Sequence, residues 1–309
     1  MSSERGCLSM AAKMSTEFVN VPGGFISLSK LGDIEKTVPV LYIHGGPGGN
    51  CSSFMPMAEK LAENRIVYFY NQIGSDEAAH MDEEHQWQPQ CYVETLSLVI
   101  KTINSPRLHV IGRSWGAYLA AEHLLADPNS PIISITMTSP FLSTELWIKD
   151  SLARLEEMGE DALNIVHECE NGTCFDSSRY QEIITKFNNN FQCRNDQISR
   201  LGNANFTKAV RSKSPEGMKV YRQMWGPSEF TCTGVLKDMD LTPRLPGIKV
   251  PVLFVIGEFD QVSQQSCEYY RSLIPGSRMA VIPHASQTPF LENFDIFYWT
   301  FCNFIINVE

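Results

Sequence analysis

The segment Gly112-Arg-Ser-Trp-Gly116 follows an apolar run at Leu108–Ile111 and precedes a helical pattern that begins near Ala117. A serine in such a strand–turn–helix junction has its hydroxyl raised above the end of the strand. The two glycines keep side chains out of the tight turn, and the N-terminus of the helix favours negative charge that develops beside the serine. We therefore predict that Ser114 is a nucleophile.

Hydrophobic runs on both sides of this junction predict the fold class. Six short, almost continuous apolar runs alternate with helical patterns, which is typical of a parallel sheet covered by helices on both faces. The predicted strands are 38–43, 65–70, 108–111, 132–137, 252–256 and 279–282, and the predicted helices are 54–63, 92–103, 117–126 and 293–306. Residues 16–31 alternate around a Pro22-Gly-Gly24 turn and predict a β-hairpin. The chain is therefore predicted to be an α/β protein with a mostly parallel central sheet.

The alternation of strands and helices stops between residues 143 and 245. This stretch is richer in helical patterning and in aromatic residues, which is typical of an inserted cap. We predict an N-terminal tail at 1–15, a core made of 16–142 and 246–309, and a mainly helical cap at 143–245.

A second glycine-rich motif, His44-Gly-Gly-Pro-Gly-Gly49, follows the predicted strand that ends at Ile43. Glycines allow the main chain to approach a reacting carbonyl group closely. We predict that the backbone N–H groups of Gly46 and Trp115 form an oxyanion hole. Each such donor lowers the reaction barrier by about 3 kcal/mol.

Two further catalytic side chains are expected after the last two core strands. Gly257-Glu-Phe-Asp260 follows 252–256, and we predict that Asp260 is the catalytic acid, with Glu258 as the alternative. His284 follows 279–282, and we predict that it is the general base. The order Ser, Asp, His is the order of a hydrolase with this strand–turn–helix nucleophile. The implied chemistry is acyl transfer through an acyl-enzyme, which needs no metal ion and no cofactor.

Composition excludes several other classes of function. The chain has 309 residues and a net charge of −10, and it has no dense run of Lys and Arg, which argues against nucleic-acid binding. It has no apolar window near the length of a membrane span and no signal-peptide pattern at its start. The nine cysteines include no CxxC pair, so they favour reduced thiols in the cytoplasm over a zinc cluster. A disulfide among Cys169, Cys174 and Cys193 stays open, and the oligomeric state is not predicted.

Taken together, these motifs resemble those of the proline iminopeptidases, α/β-hydrolases whose relatives include aminopeptidases and amino-acid amidases. The resemblance runs from about residue 20 to the end. It includes the matching stretches His44–Gly48, Tyr70–Gly74, Gly112–Gly116, Trp225–Phe230 and Gly257–Asp260, and His284. It implies an α/β-hydrolase fold with a helical cap, and a small-molecule or short-peptide substrate. Similarity of 225–230 to the cap of tricorn-interacting aminopeptidases implies that Glu229 binds a free α-amino group, with Trp225 and Gln261 also at the substrate.

The chain departs from the family pattern at three places. Gln261 stands where the family often has Glu, the 71–76 segment reads Asn-Gln-Ile-Gly-Ser-Asp, and the residues after His284 differ from the usual histidine motif, in which Glu follows within a few residues. Three functions therefore remain open. They are an aminopeptidase or amidase, an esterase or other small-molecule hydrolase such as one of secondary metabolism, and a non-catalytic ligand-binding receptor.

Overall fold

A computed structural model describes residues 13–75, 80–81, 87–172, 174–194 and 213–309. Its strands are β1 (Met14–Val21), β2 (Gly24–Leu31), β3 (Val40–Ile43), β4 (Val67–Tyr70), β5 (His80–Met81), β6 (Leu108–Arg113), β7 (Ile132–Thr138), β8 (Val252–Gly257) and β9 (Arg278–Ile282). They form one sheet in the order β1-β2-β4-β3-β6-β7-β8-β9, and β5 also pairs with β2. From β4 to β9 the neighbours are parallel, whereas β2 is antiparallel to β1, β4 and β5.

Helices cover the sheet and fill the region between β7 and β8. They are α1 (Met55–Ala62), α2 (Pro89–Ile103), α3 (Trp115–Ala126), α4 (Thr144–Glu157), α5 (Glu160–Gly172), α6 (Ser178–Phe187), α7 (Pro215–Met224), α8 (Gln264–Leu273), α9 (Pro289–Glu292) and α10 (Phe294–Ile306). Short 3₁₀ turns lie at Ser52–Phe54 and Thr242–Gly247, and a π turn continues α6 over Asn188–Gln192. The predicted α/β class, six core strands and four core helices are confirmed. None of the helices in the described ranges is long and apolar enough to cross a membrane.

The central strands of the sheet are buried on both faces, which is why they show no alternation of polar and apolar residues. Every residue of β3 and β8 is buried. On one face, α2 and α3 pack side chains such as Leu96 and Leu119 against the sheet. On the other face, α1 contributes apolar side chains such as Met57 and Leu61, and α10 contributes the aromatic residues Phe297 and Phe301. Two apolar layers therefore hold the carboxyl ends of the parallel strands at one edge.

The predicted hairpin is confirmed, with β1 and β2 paired from Met14–Leu31 to Val21–Gly24. Strand β1 begins at Met14 rather than at 16, because Met14 and Ser15 continue the pairing with Leu31 and Lys30. The predicted tail is therefore two residues too long at its C-terminal end. The rest of it lies largely outside the described residues.

Helices α4 to α7 occupy the stretch predicted as a cap, and some of them share a third apolar cluster around Leu155, Val166 and Phe187. Helix α7 also contacts the glycine-rich loop that follows β3. A Cβ atom on Gly48 would overlap the carbonyl oxygen of Gly217, and a Cβ on Gly217 would overlap that of Gly48. Only glycine at both positions permits this approach of one backbone to the other.

Candidate active site

Ser114 lies at the turn between β6 and α3, with φ 49° and ψ −115°. This left-handed backbone is costly for a serine and is typical of functional sites that the surrounding fold holds in place. The Ser114 N–H donates to the Thr138 carbonyl on β7 at 2.9 Å. A Cβ on Gly116 would overlap the Ile43 carbonyl oxygen, so the turn packs directly against β3. The sharp strand–turn–helix junction expected from the sequence is therefore present.

The glycine-rich loop after β3 lies alongside Ser114. A Cβ on Gly45 would be 3.2 Å from the Ser114 Cβ, and Gly46 lines the same cavity as Ser114. Trp115 is the first residue of α3, and its buried ring stacks on Tyr118 with centroids 4.9 Å apart. Gly46 thus lies at the same cavity as Ser114, and Trp115 follows Ser114 directly, whereas an oxyanion hole formed by their N–H groups stays a prediction.

Gln72 joins this loop to the helix of the nucleophile. Its backbone N–H donates to Nε2 of His44 at 2.9 Å, and its side-chain amide donates to the His44 carbonyl at 2.7 Å. Its Oε1 accepts from the indole N–H of Trp115 at 3.0 Å. The contacts of His44 and Gln72 are structural because they fix the position of the loop beside Ser114.

Asp260, the predicted catalytic acid, is fully buried in the loop after β8. Its Oδ2 accepts from the Ser139 hydroxyl at 2.6 Å and from the Gly257 N–H at 3.1 Å, and its Oδ1 accepts from the Val262 N–H at 3.1 Å. Burial raises the pKa of Asp260 to about 7, although these hydrogen bonds oppose the shift. The alternative acid, Glu258, is exposed.

His284 does not lie beside Ser114, and its prediction as the general base has to be corrected. Its side chain is 77% exposed, and its Nδ1 is 3.8 Å from the Glu258 carboxylate. Its backbone has φ 58°, and its N–H donates to the same Glu258 oxygen at 2.9 Å. In the described ranges, its imidazole contacts neither Ser114 nor Asp260, and it does not line their cavity. An exposed imidazole in this position does not take a proton from the Ser114 hydroxyl.

The side chain that the β9 loop presents to the cavity is Gln287. It is buried, and its Oε1 accepts from the Arg113 guanidinium at 3.1 Å. Its carbonyl oxygen accepts from Arg113 at 3.4 Å and from the Ser139 hydroxyl at 3.2 Å. Because Ser139 also donates to Asp260, it links the buried acid to the backbone of residue 287. A carboxamide has no imidazole-like proton acceptor, so Gln287 is no general base.

One residue in the sequence, Glu292, indicates that position 287 is the one that corresponds to the histidine of the family motif. Its carboxylate accepts from the N–H and hydroxyl groups of both Ser286 and Thr288, at 2.8 to 3.3 Å. Glu292 therefore fixes the two residues on either side of Gln287. It follows Gln287 by five positions and His284 by eight, so the Glu expected shortly after the motif histidine belongs with position 287.

A cavity of about 290 Å³ opens above Ser114, between the sheet and the helices that follow β7. Its lining includes Gly45, Gly46, Arg113, Ser114, Gln287 and Thr288 from the core, and Trp147, Gln192, Lys213, Tyr221 and Glu229 from the predicted cap. The charged side chains of the described lining are thus two cations and one carboxylate.

The three predicted substrate-binding residues differ in position. Glu229 lines the cavity. Gln261 is fully buried outside the lining and donates to Glu229 at 3.2 Å and to Ser151 at 2.7 Å. Trp225 is also buried outside the lining, and its indole N–H donates to the Ser228 carbonyl at 2.6 Å. Of the three, the described cavity therefore exposes Glu229 alone to a ligand.

Comparisons with known proteins agree with this architecture. The family model described as the α/β hydrolase fold matches residues 38–294. A proline iminopeptidase of Heyndrickxia coagulans is 32% identical over 280 residues, covering 90% of this chain and 94% of that protein. The proline iminopeptidase structure of Mycobacterium smegmatis has a TM-score of 0.82 at 24% identity, covering 95% and 98% of the two chains. The structure of VinJ has a TM-score of 0.85 at 22% identity, covering 96% and 99%. Together with the motifs around Ser114, these matches show that the chain belongs to the proline iminopeptidase-like family of α/β-hydrolases.

Proposed function

We propose that this chain binds a small acyl compound or short peptide above Ser114 and does not hydrolyse it by a serine–histidine mechanism. The proposal rests on where the side chains of two residues after β9 lie. Gln287 faces the cavity, whereas His284 is exposed beside Glu258.

Within the described residues, no histidine lines the cavity above Ser114, and this decides between binding and turnover. General acid–base catalysis contributes about 10²- to 10⁴-fold to such reactions. Serine enzymes that lack one member of the triad retain only the part of their rate that comes from substrate binding and the oxyanion hole. Here Ser114 has an amide rather than an imidazole on the adjacent loop, so its hydroxyl stays protonated and is a weak nucleophile.

The remaining parts of the site are suited to holding a carbonyl group. The N–H groups of Gly46 and Trp115 are the proposed donors to a carbonyl oxygen above Ser114. A cavity of about 290 Å³ lies at the lower end of the range for small-molecule sites. The ligand is therefore the size of an aminoacyl amide, a small ester or a short peptide.

A second candidate function is a serine aminopeptidase or amidase that forms an acyl-enzyme on Ser114, with an esterase as its variant. The family relationship and the left-handed backbone of Ser114 favour it, because such strain persists where it serves a function. In this case Asp260 would support a proton acceptor other than His284.

A substrate and probe panel separates the two functions. Wild type and Ser114→Ala are incubated with free and N-blocked aminoacyl naphthylamides, p-nitrophenyl esters and a fluorophosphonate, and ligand binding is followed by the shift in Tm. We expect a raised Tm with members of the panel, but neither turnover nor labelling that depends on Ser114. Ser114-dependent turnover by the wild type would establish the second candidate. A Tm that no member shifts would overturn the binding proposal.

A further inference from the structure

The carboxylate of Glu229 already has three neutral hydrogen-bond partners. Its Oε1 accepts from the Tyr221 hydroxyl at 2.7 Å, and its Oε2 accepts from the Trp147 indole and from the Gln261 amide, both at 3.2 Å. These three donors come from α7, α4 and the loop after β8. They hold the carboxylate in one orientation and occupy most of its hydrogen-bonding capacity.

A resident cation lies at the same end of the cavity. Lys213 lines the cavity, and its ammonium is 4.1 Å from the centroid of the Tyr221 ring. Burial lowers the pKa of Lys213, the charge of Glu229 raises it, and the charge of Arg113 lowers it. In the described part of the chain, the ammonium has this ring contact and no ion pair within 4 Å. Glu229 and Lys213 therefore offset each other's charge across the Tyr221 ring.

The charge balance of the cavity follows from these positions. Among the described lining residues, Arg113 and Lys213 are the two basic side chains and Glu229 is the one acidic side chain. A ligand with a free α-amino group would bring a third positive charge close to Lys213, where like charges repel and little water screens them. A neutral or negatively charged group would avoid that repulsion, and a carboxylate would gain an ion pair.

We infer that the Lys213 ammonium takes the place that the α-ammonium of a ligand would otherwise take beside Glu229. The cavity therefore selects acyl compounds whose nitrogen carries a neutral or an acidic acyl group over compounds with a free amine. The selected class is N-acylated amino-acid and peptide derivatives. This inference rests on the proposed binding function and specifies its ligand. Lys213 is then a specificity-determining residue that touches the ligand.

The test uses three ligands that differ in charge on one skeleton. They are L-alanine 2-naphthylamide, its N-acetyl derivative and its N-succinyl derivative, which at pH 6.5 are cationic, neutral and anionic. Affinities are measured by calorimetric titration. In the wild type we expect the N-succinyl compound to bind tightest and the free amine to bind at least ten-fold more weakly.

Charge-matched variants assign the effect to one position. Lys213→Met should weaken the N-succinyl compound at least ten-fold and strengthen the free amine. Lys219→Met removes the same charge from an exposed position of α7 and should leave the order unchanged. Tightest binding of the free amine by the wild type would overturn the inference without any variant. An unchanged order of affinities in a folded Lys213→Met protein would also overturn it.

The same titrations keep the two proposals apart. Binding measured on Ser114→Ala reports the order of affinities whether or not the wild type turns the compounds over. Failure of the proposed function appears as product formed by the wild type, whereas failure of the inference appears as a free amine that binds best. Absence of binding by all three compounds would overturn both.

Discussion

Replacing Gln287 with histidine should convert this site into a working serine hydrolase. The backbone of residue 287 is already fixed, because its N–H donates to the Phe191 carbonyl at 3.2 Å and its carbonyl accepts from Ser139. Oδ1 of Asp260 accepts one hydrogen bond, from the Val262 N–H, and retains a lone pair for an imidazole N–H. Gln287→His would thus place an imidazole between the carboxyl group of Asp260 and the hydroxyl of Ser114.

The size of the effect follows from what is added and what is lost. A positioned general base contributes about 10²- to 10⁴-fold, which corresponds to a barrier lowered by about 3 to 5 kcal/mol. The substitution also removes the 3.1 Å bond from Arg113 to the Gln287 amide, which costs about 1 to 3 kcal/mol of stability. We therefore expect turnover at least 10²-fold above wild type in a protein with a slightly lowered Tm.

The assay compares kcat/KM of wild type, Gln287→His, Gln287→Asn and the double variant Gln287→His/Ser114→Ala on N-acetyl and free aminoacyl naphthylamides and on p-nitrophenyl esters. Activity should appear only in Gln287→His, and it should rise with pH through the ordinary pKa of histidine, near 6.5. A folded Gln287→His protein that is no more active than Gln287→Asn would refute the placement of residue 287 beside the nucleophile. Equal activity of the wild type would refute the absence of a base.

Three further predictions concern stability. Because burial raises the pKa of Asp260 from 3.8 to about 7, folding favours its protonated form, and the wild type should lose up to about 4 kcal/mol as pH rises from about 4 to about 7. Urea unfolding of Asp260→Asn should lack this slope, and an equal slope in both proteins would contradict the shift. The variant His284→Asn should change the free energy of unfolding by less than about 0.5 kcal/mol and ligand affinity by less than about two-fold, because asparagine tolerates the left-handed backbone of this position. A larger loss of binding would show that His284 takes part in the binding site. Glu292→Gln should destabilise the protein by about 2 to 3 kcal/mol because it removes an acceptor shared by four buried donors. The exposed control Glu268→Gln should cost less than about 0.5 kcal/mol, and an equal loss in both would contradict the role of Glu292.

Sequence patterns were sufficient for the sheet and for the parts of the site that follow strands directly. Ser114 follows β6 directly and Asp260 lies three residues after β8, and both positions are close enough to the end of a buried strand for the strand to determine where they lie. His284 comes just as soon after β9, but its left-handed backbone turns its side chain to solvent. Gln287 lies further along the same loop, and the contacts that hold it in the cavity come from distant residues.

The cap side of the cavity was less accessible to sequence reasoning. Resemblance implied that Glu229 binds an amine; the structure places Glu229 in the lining of the cavity, and the amine-binding role stays a prediction. Its three donors and the neighbouring Lys213 lie on segments that are far apart in sequence and that no local pattern connects. The charge balance of a pocket is a property of the folded arrangement, and composition does not reveal it.

The paired glycines Gly48 and Gly217 each exclude a side chain because of the backbone of the other. A methyl group on either would meet the carbonyl oxygen of its partner, so a change at one site is not relieved by a compensating change at the other. A displacement of helix α7 would therefore be transmitted to the loop beside Ser114 through this backbone contact. The same coupling means that grafting the cap of a relative onto this core would have to preserve both glycines.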